Sequence, residues 1–259
     1  MGKKILIICE GVSKEPEIFE YVKSLGLLPQ DVGIVSYKTN IYKLYNFLEK
    51  ASQGYPGGWD ALDLQLLLLE RAKTAEEKSI LQAEYTDTLL IFDFDPQDPS
   101  FRNHPDKAYQ QFTKLLAFFS ESTENGKLYL SYPMIEALQH ISLEQLQANH
   151  FDDFMRQWFT AEELKKKSYK KRSEAEGEKA IFAYNRNALI TLMIWHLKKA
   201  RALVTGEADP GLHYLDSQEM QLLLQKEYQS YVKNQYGFIV STSLFYISET
   251  YPQYVVDMQ

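Results

Sequence analysis

The chain has 259 residues, 45% hydrophobic and 14% aromatic, enough to bury a sizeable core in one large domain or a core domain with an appendage. Lys and Arg number 28 against 35 Asp and Glu, a net charge of −7, which argues against an indiscriminate nucleic-acid binder but not against a site where metal ions mediate contact with phosphate. The single cysteine, Cys9, excludes an internal disulfide and a multi-cysteine zinc centre.

The chain opens on MGKKILIICEG. KILIIC is a continuous apolar run, the signature of a strand buried on both faces. It is too short for a signal peptide and leads into acids, so cytoplasm is the expected location. No apolar run approaches the ~20 residues of a membrane span. Ser13 is placed to cap a helix beginning near Glu15, with Pro16 in its first turn. VGIVSY reads as a second strand, IYKLYNFLEKA as an amphipathic helix and SQGYPGGWD as a loop. ALDLQLLLLERAKTAEEKSILQAEY is one long helix or a pair. DTLLIFDFD is the strongest strand, KAYQQFTKLLAFFSES a helix and KLYLSYP another strand. The alternation predicts an α/β fold with a mainly parallel sheet flanked by helices.

After about Pro133 the pattern changes. MIEALQHISLEQLQ, FTAEELKKKSYKKRSEAEGEKAIFAY, RNALITLMIWHLKKARALV and SQEMQLLLQKEYQSYVKNQ all read as helices. GFIVSTSLFYI reads as a strand or a buried extended segment. A boundary near residue 150 would separate an α/β domain over 1–150 from a mostly helical region over 151–259. Residues 1–150 hold 14 basic and 21 acidic residues, residues 151–259 hold 14 and 14, so the whole acid excess lies in the first part.

In open α/β sheets, ligands bind beyond the carboxyl ends of the strands. Two strands place acids there. The first ends in Glu10-Gly11, the other in FDFDPQD with Asp93, Asp95 and Asp98. Alternation along a strand turns Asp93 and Asp95 to the same side. Two close carboxylates repel unless protons or cations neutralise them, and Mg2+ does so with oxygen ligands. Gly11, lacking a side chain, would let a phosphate or metal approach the backbone. Asp98-Pro99 also fits a helix cap, and Glu15 and Glu136 fit acids in a helix's first turn.

ILIICEG followed by LLIFDFD resembles the Toprim domain of topoisomerases, primases, OLD-family nucleases and small RNA-maturation nucleases. EGVSKEPEIFEYV is similar to the opening of RloB-like proteins, matching at Glu15, Pro16 and Phe19. SYPMIEALQH resembles that family's later NPxFExW motif at Pro133 and Glu136, and departs from it at Tyr132, Ile135 and Leu138. The resemblance covers about residues 3–140. It implies Mg2+ or Mn2+ held by Asp93 and Asp95, with Asp98 as a third acid and Glu10 as ligand or general acid/base. Glu136 and Glu15 are additional acids. It implies a Toprim-like catalytic domain over 1–150 and a metal-dependent nuclease in prokaryotic defence against phage or plasmids, beside a separately encoded ATPase. The helical region would then bind substrate or partner. A non-catalytic Toprim-like subunit binding nucleic acid or a partner ATPase, and a metal-dependent nucleotidyl or phosphoryl transferase, use the same acids. A homo-oligomer is compatible with any of these.

No G-x-x-x-x-G-K-[ST] loop, H-E-x-x-H spacing or G-x-S-x-G elbow occurs. His104 follows the acid loop, although surface placement is its ordinary reading. The cluster KKKSYKKR (Lys165, Lys166, Lys167, Lys170, Lys171 and Arg172) is a local positive patch for a nucleic-acid backbone. Trp59 and Trp158 are candidates to stack bases, whereas Trp195 belongs to an apolar helix and its core.

Overall fold

A computed structural model describes residues 2–208 and 210–256. In chain order it has β1 (Ile5–Cys9), α1 (Lys14–Ser24), β2 (Val32–Ser36), α2 (Ile41–Ser52), α3 (Leu64–Arg71), α4 (Ala75–Leu81), β3 (Asp87–Asp93), α5 (Pro99–Asn103), α6 (Pro105–Phe118), β4 (Ser120–Glu121) and β5 (Gly126–Tyr132). There follow α7 (Leu143–Gln147), α8 (Phe151–Met155), β6 (Trp158–Thr160), α9 (Ala161–Lys165), α10 (Tyr169–Glu176), α11 (Arg186–Thr205), α12 (Ser217–Asn234), β7 (Tyr236–Phe238), β8 (Val240–Ser241), α13 (Phe245–Thr250) and α14 (Gln253–Val256).

The main sheet runs β2-β1-β3-β5-β4, with β8 on β5. β1 lies parallel to both neighbours, Cys9 opposite Ser36 on one side and Ile91 on the other. β4 and β8 pair antiparallel with β5, so the sheet is mixed and mostly parallel. Every residue of β1 is fully buried, which is why its sequence is an unbroken apolar run rather than an alternating one. A two-stranded ribbon pairs β6 with β7. Among the described residues no helix is long and apolar enough to cross a membrane.

Two compact units make up the chain. One comprises Met1–Phe92 with Gln110–Leu128, the other Asp93–Tyr109 with Tyr129–Gln259. Neither is continuous, and the change of composition near residue 150 lies inside the second. In the first, Tyr42 meets Phe112 edge-on at 5.3 Å and Trp59 meets Phe118 at 5.2 Å. These contacts hold α2 and the loop after it against α6. In the second, α11 and α12 bury Leu192, Leu197, Leu223 and Leu224.

The expected long helix over FTAEELKKKSYKKRSEAEGEKAIFAY is broken. Its first residues form β6. Thr160 and Glu163 then make a capping box that starts α9, and Lys167 takes a left-handed φ of 54° before α10. MIEALQHISLEQLQ likewise divides into a 3-10 turn over Ile135–Gln139 and the short α7. GFIVSTSLFYI is strand only as far as Ser241 and then becomes α13. Thr242 closes that junction by donating from Oγ1 to the Leu130 carbonyl at 3.0 Å.

Gly177 ends α10 with its backbone pressed on another backbone. A Cβ there would collide with the Gln139 carbonyl oxygen, which accepts from the Glu178 N–H at 2.9 Å. No flexible side chain can yield. We expect Gly177→Ala to cost about 3 kcal/mol, read as a lowered urea midpoint at unchanged m-value. A change under ~0.5 kcal/mol would show that this contact is loose.

Candidate functional site

Glu10 lies one residue past β1. Its N–H donates to the Ile91 carbonyl at 3.0 Å, and its own carbonyl accepts from the Lys38 N–H at 3.1 Å. The pairing of β1 with β3 and β2 thus continues one step into the loop and holds the Glu10 backbone at the carboxyl edge of the sheet. Gly11 has a different reason from the one expected. The space beside its Cα is filled by the carboxylate of Glu15, which a Cβ would strike. The Gly11 N–H donates to Glu15 Oε1 at 3.1 Å. The group approaching the backbone is therefore the chain's own acid. Glu15 is 6% exposed and clamps the loop from the first turn of α1. Burial, and after it the charge of Glu15, push the Cys9 thiol well above its usual pKa, and Cys9 is packed as a core residue.

β3 stops at Asp93. Phe94 is fully buried, with Phe101 and Tyr132 each at 5.3 Å. The Phe94 N–H donates to the Ser131 carbonyl at 3.0 Å, and the Asp95 N–H to the Pro133 carbonyl at 3.0 Å. Asp95 then turns into the left-handed region, φ 43°. Strand alternation accordingly does not extend to Asp95. A buried aromatic plug and a left-handed turn set its direction, not the pleat. Asp95 is partly buried and accepts from the Gln97 amide. Burial, and then the charge of Asp98, raise its pKa to about 6. Asp98 is the N-cap of α5, accepting from the Ser100 N–H at 2.7 Å with Pro99 at the first helical position. Its cap reading is therefore present in the fold, through one of its two carboxylate oxygens.

Glu136 is 6% exposed within the 3-10 turn. It pairs with Lys170 at 3.2 Å, while its carbonyl accepts from Ser173 Oγ at 2.8 Å. The basic cluster is spread over α9, the turn after it and α10. Lys166 pairs with Glu162 at 2.6 Å and Arg172 with Glu163 at 2.8 Å. Lys165, Lys167 and Lys171 are exposed. His104 is exposed at the end of α5. Trp59 and Trp195 are buried, and Trp158 is 51% exposed.

Sequence reasoning missed two features. A cleft of about 320 Å³ in the second unit is lined by Gln97, Phe101, Arg102, Lys165, Tyr231 and Val232. It adjoins the Asp95 loop through Gln97 and carries two cations. Phe101 and Tyr231 meet there edge-on at 5.7 Å, a contact between distant segments with no sequence signal. The other is a basic pocket in the first unit, described below. Among the described residues, no group of three or more His, Cys, Asp or Glu side chains converges so as to hold a metal ion. The donor types at Glu10, Asp93 and Asp95 are hard carboxylate oxygens, the class that suits Mg2+ and Mn2+. No family model matches the chain, and neither a curated protein nor a solved structure matches it.

Proposed function

We propose that the protein is a divalent-metal-dependent nuclease of the Toprim type that cleaves nucleic-acid phosphodiesters, acting in prokaryotic defence beside a separately encoded ATPase. The observation that carries this reading is the in-register parallel pairing of β1 and β3, with one strand followed by Glu10 and the other ending in Asp93 and leading to Asp95. Ligands of open α/β sheets sit at that carboxyl edge. The raised pKa of Asp95 adds support, because such a group is relieved by a proton or a cation.

In this reading Asp93 and Asp95 hold Mg2+ or Mn2+, and Glu10 either ligates or moves the proton of the attacking water. Bound metal would polarise the phosphodiester and offset charge on the leaving oxygen. Asp98 keeps the turn that presents Asp95, and the exposed Lys165, Lys167 and Lys171, which pair with no carboxylate among the described residues, offer their charge to the backbone of the strand. Lys170 is committed to Glu136 and Lys166 to Glu162, so they contribute less.

The test is incubation of labelled single-stranded DNA, duplex DNA and tRNA with Mg2+, Mn2+ or EDTA, repeated with the neighbouring ATPase. We expect metal-dependent cuts that fall about 10²–10⁴-fold in Glu10→Ala and vanish in Asp93→Ala. Cleavage persisting in both variants would sink the site. The engagement of Asp98 and Glu136 within the fold favours one competing reading, a non-catalytic binding subunit. That reading predicts metal-independent binding and no cuts under any condition.

A further inference from the structure

A pocket of about 340 Å³ opens in the first unit at the carboxyl end of β2. Its floor is apolar, formed by Val35, Leu68 and Leu81. Lys38, Lys43, Arg71 and Lys73 line it with a single acid, Glu77, a local net of +3 in a chain whose net charge is −7. Like charges gathered this way repel one another and need a reason to persist.

Glu77 does not neutralise the pocket. Its carboxylate is bound to Lys38 and accepts the N–H of Lys73 at 2.9 Å. The Lys38 contact first, and the backbone N–H groups of Lys73 and Thr74 after it, bring its pKa down to about 2. Glu77 is thus spent on fixing the loop before α4. Among the described residues no carboxylate pairs with Lys43, Arg71 or Lys73.

Arg71 is held against two aromatic rings. Its guanidinium lies 4.5 Å from the Phe47 ring centre and 5.4 Å from that of Tyr37. Nη1 donates to the Tyr37 hydroxyl at 3.3 Å. Stacking on aromatics fixes the orientation of the planar fork, so that its other N–H groups can meet an anion side by side. Tyr37 itself is buried, its N–H donating to the Cys9 carbonyl at 2.7 Å, so this support is part of the core. Lys38 has a left-handed φ of 66°, and its backbone is tied to Glu10. The pocket wall is therefore rigidly built.

We propose that this pocket recognises a phosphate group, with Arg71 as the bidentate contact and Lys43 and Lys73 as flanking charges. A phosphate carries the charge and the planar pair of acceptor oxygens that such a fork fits, and strand ends in α/β sheets are where phosphates are bound. The phosphate can belong to a nucleic-acid strand or to a free nucleotide, and binding measurements separate these sources.

The experiment uses the full chain in EDTA throughout, so cleavage plays no part. An inactive nuclease would leave the pocket result standing, and a failed pocket would leave metal-dependent cleavage standing. A fluorescein-labelled oligo(dT) of about 20 nucleotides is titrated by anisotropy over a salt series, and AMP and inorganic phosphate are tested by thermal shift. We expect Lys43→Ala/Lys73→Ala to weaken the oligonucleotide at least tenfold and to flatten its log–log salt slope by roughly 1.4, about 0.7 per lost contact with a single strand. Arg71→Lys, which keeps the charge and loses the fork, should weaken it several-fold. Lys50→Ala/Lys78→Ala, an equal charge change on exposed lysines of the same unit, should change neither the affinity nor the slope by as much. Thermal stabilisation by AMP or phosphate without oligonucleotide binding, lost in the pocket variants, would support the pocket and assign it to free nucleotides. The proposal is overturned if the pocket variants, folded by circular dichroism, match the control pair with every probe.

Discussion

Asp95→Asn should make the protein more stable and abolish its response to metal. Asp95 has a pKa raised to about 6 by burial and by Asp98, against about 3.9 for an unfolded aspartate. The folded state therefore holds the proton more tightly than the unfolded one. Its stability falls as pH rises from about 4 through 6, and above that the whole penalty is present. Two pKa units correspond to about 3 kcal/mol. Asn removes the charge, keeps an oxygen to accept from Gln97 and tolerates the left-handed φ of 43°. We expect Tm at pH 8 to rise by about 5 °C in a chain of this size, with the gain disappearing near pH 4. Mn2+ at about 100 times its Kd should stabilise the wild type by about 2.7 kcal/mol and the variant by much less. Stability gained at the expense of function is the usual mark of an active-site charge. An Asn variant less stable than wild type at pH 8 would remove Asp95 from the site.

The sheet was legible in the sequence because a strand buried on both faces has a signature of its own, as in the unbroken ILIIC and LLIF runs. The edge where Glu10 and Asp93 leave the sheet followed from the same runs. Asp95 was not legible in the same way. Period-two alternation holds only while the chain is strand, and β3 ends two residues earlier. What turns Asp95 is the burial of Phe94 against Phe101 and Tyr132, which brings in a residue 38 positions along the chain. The double meaning of Asp98 was visible, but only the bond to Ser100 settles that it caps.

Local patterns also misled where two signals competed. Lys165 to Arg172 looked like one helical run because Lys and Arg are good helix formers. The capping box at Thr160 and the left-handed Lys167 override that preference, and the preceding Glu162 and Glu163, with the distant Glu136, take up part of its charge. The stronger cationic site is built from Lys38, Lys43, Arg71 and Lys73, which are too far apart in sequence to register as a cluster. Its signal is electrostatic contrast with an acidic chain, and that is visible only after folding.

Acidification should destabilise the second unit through its buried histidines. His196 is fully buried, accepting the Ser241 N–H on Nδ1 at 3.0 Å, with the Phe154 ring edge-on at 4.9 Å. Burial, and after it the charge of Lys199, lower its pKa to about 3. His140 is also fully buried and stacks on Tyr169 at 5.6 Å; burial first, then Arg172 and Lys199, bring it to about 3. Glu176, 3.0 Å from His140 Nε2, pulls the other way, but its side chain is 43% exposed and shared with Arg172. Both pKa values lie below the unfolded 6.5. The stability these histidines depend on is complete above pH 6.5 and is lost as pH falls from there toward 3. Lys199, buried on the Phe154 and Gln157 carbonyls, is lowered to about 7, and burial raises Glu227 well above its usual value. The Lys199 shift costs stability only above the histidine window, whereas Glu227, like Asp95, regains stability as pH falls and offsets part of the histidine loss. Between pH 8 and 5, two such sites taken alone lose about 4 kcal/mol together, a large share of a typical fold's stability. His196→Asn retains an acceptor for the Ser241 N–H and cannot take a proton. It should lower stability at pH 8 through lost packing on Phe154, yet lose about 2 kcal/mol less than wild type on going to pH 5. Urea denaturation at the two pH values measures this, and equal losses in both proteins would mean that His196 is not what makes the fold acid-sensitive.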